Sequence, residues 1–172
     1  FASFPHVYAT LFSGFYMALF LMLAVLIMRG VAFEFRSKSA NRTWRKVFDY
    51  CIFIGSIVPA LLWGVTVGNL IQGTPIDETM TYVGTFWDLL SPYTVLCGVA
   101  FVLVFTYHGG LFTSIKTAGP ISERARAASL VTGVPTAIGV IALIIASYVY
   151  TDLYSSILAT IFCALAVVCF LI

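Results

Sequence analysis

The run VYATLFSGFYMALFLMLAVLIM, residues 7–28, contains no charged side chain and is followed at once by RGVAFEFRSK, residues 29–38. A helix rises about 1.5 Å per residue and the hydrocarbon layer of a bilayer is about 30 Å thick, so about 20 apolar residues suffice to cross it. This run is long enough to span, and the cations that follow mark where it meets water. The same reading applied outward finds four more spans, at approximately 47–71, 93–115, 127–149 and 153–172. The expected fold is all-α, a polytopic transmembrane helical bundle with five spans in one domain.

Composition agrees with that reading. The 172 residues are 61% hydrophobic and 9% charged, with a mean hydropathy of +1.03, against roughly a quarter charged in a soluble domain. The charges fall in short stretches between long apolar runs, so lipid is the solvent those runs expect. Net charge is only +2 and no basic face carries interleaved aromatics, which excludes a nucleic-acid partner. The four cysteines, Cys51, Cys97, Cys163 and Cys169, lie inside apolar segments with no CxxC pair, and read as small packing residues. The chain starts at Phe1 rather than Met and ends inside an apolar run, so a fragment is expected.

Charge asymmetry sets an orientation. All nine Lys and Arg residues follow spans one and three: Arg29, Arg36, Lys38, Arg42, Arg45 and Lys46, then Lys116, Arg124 and Arg126. The alternate connections carry only acids, namely Asp77, Glu78 and Asp88, then Asp152. The positive-inside rule therefore makes 29–46 and 116–126 cytoplasmic loops, 72–92 and 150–152 outer loops, and puts residue 1 on the outer side. Ser91-Pro92 suits a cap with proline at the first helical position, and Gly119-Pro120 suits a turn opening the fourth span. Pro59 and Pro135 are expected to kink their spans, while Gly14/Ala18 and Gly64/Gly68 are small pairs that let backbones approach.

Few side chains could carry chemistry. His6 and His108 are the only histidines, and helical rise separates them by on the order of 20 Å along the bilayer normal, too far for one haem iron. Glu34 lies between Arg29 and Arg36, where spacing alone does not guarantee a pair; an interfacial charge network is expected, with a proton-carrying carboxylate as the functional alternative. Asp49, close to Arg45 and Lys46, reads as an interfacial charge pair. Thr66 and Asn69 are expected to hydrogen-bond another helix, and the Gly64, Gly68 and Asn69 face to meet one. No metal motif, phosphate loop or nucleophile-base pair is found, so no catalytic, cofactor-binding or metal residue is expected. Buried polar groups beside kinked spans leave a multi-pass transporter as an alternative, and a small b-type cytochrome as a third.

The stretch RGVAFEFR, residues 29–36, resembles a signature of subunit II of the cytochrome bd quinol oxidases. In the same order, FPHVYA at 4–9 leading into SGFY at 13–16, GNLIQG at 68–73, and KTAG at 116–119 with RAR at 124–126 are similar to other stretches of that subunit. The resemblance implies a respiratory oxidoreductase of the prokaryotic cytoplasmic (inner) membrane that oxidises quinol and reduces dioxygen to water. It implies that haems b and d and the quinol-oxidising loop belong to the partner, subunit I. Subunit II would be a haem-free helical bundle packed against it, linked to proton or oxygen access, with membrane lipid around it and room for a small single-span accessory subunit. The family's subunit is longer and its early acidic motifs precede the position matched by Phe1, so the chain reads as a central fragment.

Overall fold

The computed structural model describes residues 4–79, 81–152, 154, 157, 160, 161, 163 and 165. The described helices are α1 (Pro5–Gly14), α2 (Tyr16–Arg36), α3 (Arg42–Gln72), α4 (Pro92–Lys116) and α5 (Pro120–Tyr150), with a 3-10 turn over Phe86–Leu89. Of these, α2, α3, α4 and α5 are long and apolar enough to cross a membrane. The chain is thus a polytopic helical membrane protein. The expected fifth span, 153–172, falls almost wholly outside the described residues.

Several boundaries differ from the expected ones. The first span is two helices, because Phe15 leaves helical geometry (φ −93°, ψ 11°) while its N–H still bonds Leu11 O at 2.9 Å. The break coincides with a contact: a Cβ on Gly14 would stand 2.7 Å from the Tyr82 ring of the loop 73–91. Helix α2 then runs on through residues 29–36, and the supposed loop 29–46 shrinks to residues 37–41. Arginine and glutamate are good helix formers, so charge marks the membrane boundary and not the helix end. Asn41 stops the turn by accepting from Thr43 N–H with its side chain. Helix α5 likewise begins seven residues before its expected start, with Gly119 (φ +72°) in the left-handed region that spares glycine a Cβ clash, and Pro120 at N1. Both Pro59 and Pro135 sit inside continuous helices.

The long helices lie in a row. Helix α2 packs on α3, α3 on α4 and α4 on α5, with no comparable contact between non-neighbours among the described residues. Helix α3 shows how one helix serves two neighbours: Gly55 meets α2 at Arg29 and Val25, whereas Gly64 meets α4 at Cys97 and Gly98. Nine residues at about 100° each turn the helix by half a revolution, so these two contacts sit on opposite faces. A small apolar cluster of Ala18, Met22 and Leu62, with Val58 and Phe86 against it, joins α2, α3 and the 3-10 turn.

The connection 73–91 is held by its own polar groups. Ile76 bridges Tyr82 antiparallel, and Thr85 with Asp88 closes a capping box: Asp88 Oδ2 accepts from Thr85 N–H at 2.6 Å and from its hydroxyl at 2.8 Å. Those two bonds, the backbone one first, hold the Asp88 carboxyl below the ordinary aspartate range. Since the folded value is depressed, the contribution is complete above the unfolded value of about 4 and is lost as pH falls through the folded one. Asp88→Ala should therefore raise hydrogen exchange of the amides at 85–90 at neutral pH. The difference from the unchanged chain, corrected for intrinsic rates, should begin to shrink near about pH 4 and vanish only once pH has fallen below the depressed folded value of Asp88; a difference that stays constant through that whole fall would remove the carboxylate from the explanation.

Candidate functional site

Two groups of side chains stand out, a charge cluster where α2 meets α3 and a polar, small-residue seam along α3, α4 and α5. In the first, Arg36 Nε donates to Asp49 Oδ1 at 2.5 Å and Nη2 to Oδ2 at 3.4 Å. Asp49 thus pairs across helices with Arg36 and not with its sequence neighbours, because the short 37–41 turn folds the end of α2 beside the first turns of α3. Arg45 is engaged elsewhere, its Nε donating to Ser39 O at 3.2 Å. Both partners of the pair are about half exposed. Trp44 Nε1 donates to Phe35 O at 2.9 Å and fastens the same corner.

The expected network around Glu34 is not formed. Glu34 is exposed and makes no ion pair with Arg29 or Arg36 among the described residues. Arg29 lies two turns deeper, its Cβ against Gly55 and its guanidinium 5.5 Å from the centroid of the Phe33 ring. Its Nε is buried with no hydrogen-bond partner among the described residues, an arrangement that carries a desolvation cost.

The seam begins at α3. A Cβ on Gly64 would stand 2.6 Å from Cys97 O and from Gly98 Cα, and one on Gly68 would stand 2.9 Å from Cys97 Sγ. Gly98 returns the contact, with Leu61 O at 2.9 Å from its own Cβ position. Asn69, on the next residue, is buried, but Nδ2 donates to Val65 O and to Leu89 O, both at 2.8 Å. Its bond beyond its own helix therefore goes to the connection 73–91 and not to another helix. Thr94 Oγ1 also donates to Leu89 O, at 2.7 Å, so one carbonyl receives both helices. Thr66 bonds back to Leu62 O within α3.

The seam continues through residues that the sequence reading did not single out. Ser129, Thr136 and Ser147 are the buried residues of α5. Their spacings of seven and eleven keep them within about 20° of one line on the helix. Ser129 packs on Gly110, Thr136 Oγ1 donates to Leu103 O at 3.2 Å, and Ser147 Oγ shares a buried hydrogen bond with Tyr93 OH at 2.9 Å. Small hydroxyl residues recurring at seven and eleven in an otherwise apolar helix are the signal that could have found them.

His6 lies in the first turn of α1, in a cavity it lines with Thr79 and Thr81 of the 73–91 connection, while His108 is exposed on α4, 16 residues or about 24 Å past its start. Among the described residues no three His, Cys, Asp or Glu side chains come together as a metal site would need.

A row of spanning helices held by small residues, with cations at one set of helix ends, defines a polytopic helical membrane protein. The chain belongs to the family of cytochrome bd terminal oxidase subunit II, whose model matches residues 1–172. It is 44% identical over 142 residues to the probable cytochrome oxidase subunit 2 of Haemophilus influenzae, covering 80% of this chain and 38% of that one. It is 44% identical over 140 residues to the cytochrome bd-I ubiquinol oxidase subunit 2 of Escherichia coli (strain K12), covering 79% and 37%. With the cytochrome bd ubiquinol oxidase subunit 2 of Bacillus subtilis the identity is 40% over 126 residues, 73% and 37%. The chain thus spans less than two-fifths of the length of these curated relatives.

The α3–α4 contact predicts a ranking. At Gly64 the obstacle is backbone, which cannot rotate away, whereas at Gly68 the nearest atom is the Cys97 thiol. Gly64→Ala should destabilise by about 1–3 kcal/mol and Gly68→Ala by less, read as thermal unfolding in detergent. Equal stability of both variants with the unchanged chain would show that the helices separate there without loss.

Proposed function

We propose that the chain is a haem-free, membrane-spanning central part of subunit II of a bd-type terminal quinol oxidase in a prokaryotic cytoplasmic (inner) membrane. The complex oxidises quinol and reduces dioxygen to water; haems b and d and the quinol site lie in subunit I, against which this chain packs. The observation that carries the reading is the family match along the whole chain, joined by relatives named as ubiquinol oxidase subunits. The placement of His6 in the first turn of α1 and of His108 about 24 Å along α4 supports a chain without a bis-imidazole haem site. No residue here is assigned a catalytic role. Arg29, Glu34, Arg36 and Asp49 shape a cytoplasmic corner, and Gly64, Gly68 and Asn69 hold the helices that support the partner. The transporter alternative drew on Thr66 and Asn69, and the side-chain donors of both are spent on Leu62, Val65 and Leu89 carbonyls.

Topology follows from the cations: the 37–41 and 117–119 turns face the cytoplasm, and the 73–91 connection and residue 1 face outward. In full-length protein stripped of native cysteines, a cysteine placed in 37–41 should react only from the cytoplasm and one in 74–79 only from outside. Labelling of both from one side would overturn the assignment.

The full-length chain, purified with and without subunit I, should show haem absorption only with the partner; haem kept by this chain alone would sink the haem-free reading. Glu34 supplies a second test, since an exposed carboxylate at the end of α2 is free to meet another chain. Glu34→Gln should reduce the amount of assembled complex more than the turnover of what assembles. Normal assembly with abolished turnover would instead assign Glu34 to proton transfer.

A further inference from the structure

The first turns of α3 carry a shallow cavity of about 390 Å³ lined by Lys46, Asp49, Tyr50 and Phe53. Spacings of three, four and seven put these side chains on one helix face, and Arg42 lies one turn before Lys46 on the same face. The column is graded: two cations first, then a tyrosine 67% exposed, then a phenylalanine 61% exposed. Lys46 to Phe53 covers about 10 Å along the helix, similar to the step from headgroup phosphates to the upper acyl chains.

Charge decides what such a column accepts. Residues 29–49 hold six cations against Glu34 and Asp49. Asp49 is the only acid among the described residues that line the cavity, and Arg36 already occupies both of its oxygens. Neither Lys46 nor Arg42 has an ion pair among the described residues. An ammonium headgroup would therefore find no free acceptor and would meet Lys46 instead, whereas a lone negative charge finds two free cations. Tyr50 adds an amphipathic ring suited to the interface, and Phe53, two turns past Lys46, continues the same face to the depth at which an acyl chain tied to that phosphate would lie.

We propose that this face of α3 seats an anionic phospholipid of the adjoining leaflet. Its phosphodiester is held by Lys46 and Arg42, its glycerol region lies beside Tyr50, and an acyl chain runs along Phe53. The proposal rests on α3 spanning the membrane and is independent of the oxidase reading.

The test uses the complete, full-length complex in detergent, freed of lipid and titrated separately with phosphatidylglycerol and phosphatidylcholine, with bound lipid counted by native mass spectrometry. Phosphatidylglycerol should be retained in preference to phosphatidylcholine. Lys46→Gln and Arg42→Gln should each weaken phosphatidylglycerol binding about fivefold, as expected for one cation at an anionic lipid surface, and leave phosphatidylcholine unchanged. Lys46→Arg should restore binding. Phe53→Ser should weaken both lipids, and Lys38→Gln, on the turn beside this face, should change neither by more than about twofold. Equal retention of the two lipids, or Lys38→Gln acting as strongly as Lys46→Gln, would overturn the proposal. So would a cysteine at position 50 that cross-links to another subunit, because protein would then fill the cavity. Lipid counts are read whether or not the complex holds haem or turns over, so failure here leaves the oxidase reading untouched, and failure of that reading leaves these counts unaffected.

Discussion

The approach of α3 to α4 at Gly64 and Gly98 is the contact on which the row depends. Apolar side chains gain nothing by leaving lipid tails for another helix, so association in a bilayer must come from dispersion at short range and from polar atoms that lipid cannot satisfy. Both kinds are found at this one place. The absence of side chains at Gly64, Gly68 and Gly98 lets backbone meet backbone over more than a turn. Directly beyond it, Asn69 and Thr94, one from each helix, converge on the Leu89 carbonyl. The connection 73–91 is thereby clamped between the two helices it joins, and through Tyr82 and Phe86 it reaches back to α1 and α2.

The other two contacts solve the same problem differently. Between α4 and α5 the small residues are hydroxylic, and most of their oxygens bond their own helix, as Ser129 does to Ala125 O and Thr136 to Thr132 O. Such a side chain presents a small surface to its neighbour with its hydroxyl already bonded, and Thr136 and Ser147 reach α4 as well, at Leu103 O and Tyr93 OH. Between α2 and α3 the close approach at Gly55 is made by Arg29, and the pair is finished by Arg36 and Asp49 where the helices leave the membrane. A large side chain at the tight point and an ion pair at the open end suit a contact near the membrane boundary, where the guanidinium can extend toward water.

What was legible in the sequence was whatever lipid alone enforces. Apolar runs had to be helices, because no other open structure satisfies its backbone in hydrocarbon, and α3 and α4 end within a few residues of the expected limits. Charge was misread as punctuation. Residues 29–36 and 120–126 are polar enough to leave the bilayer, yet their residues favour helix and simply continue it into water. The break at Phe15 coincides with a tertiary contact, Tyr82 on Gly14, that no local pattern announces. Of the candidate site, the glycines could be read from their spacing, whereas the partners of Asp49 and Asn69 could not. Each lies on a segment, Arg36 at the end of α2 and Leu89 in the connection, whose position is set by the turn that brings it back.

Burial along the row is uneven: 28% of the apolar window of α3 is buried, against 11% for α5. In water that exposure would demand a covering surface, since each apolar Å² left wet forgoes about 25 cal/mol. In lipid the same exposure costs nothing, so the area of an apolar face carries no information about what lies on it. Information is carried instead by the groups that lipid does treat differently. These are the glycines whose contacts need another backbone, the hydroxyls and amide that must find acceptors, and the charges that must stay near headgroups or find a counter-ion. On that criterion the seam from α3 to α5 is internally complete, with its polar atoms bonded within the row. The α2–α3 corner is not, for it holds the buried Arg29 Nε, the carboxylate of Glu34 and the cations Arg42 and Lys46, none of them with an ion pair among the described residues. The chemistry that remains open to other molecules is therefore concentrated at this end of the row, and it is the charged residues there, more than the broad apolar faces, that select what binds.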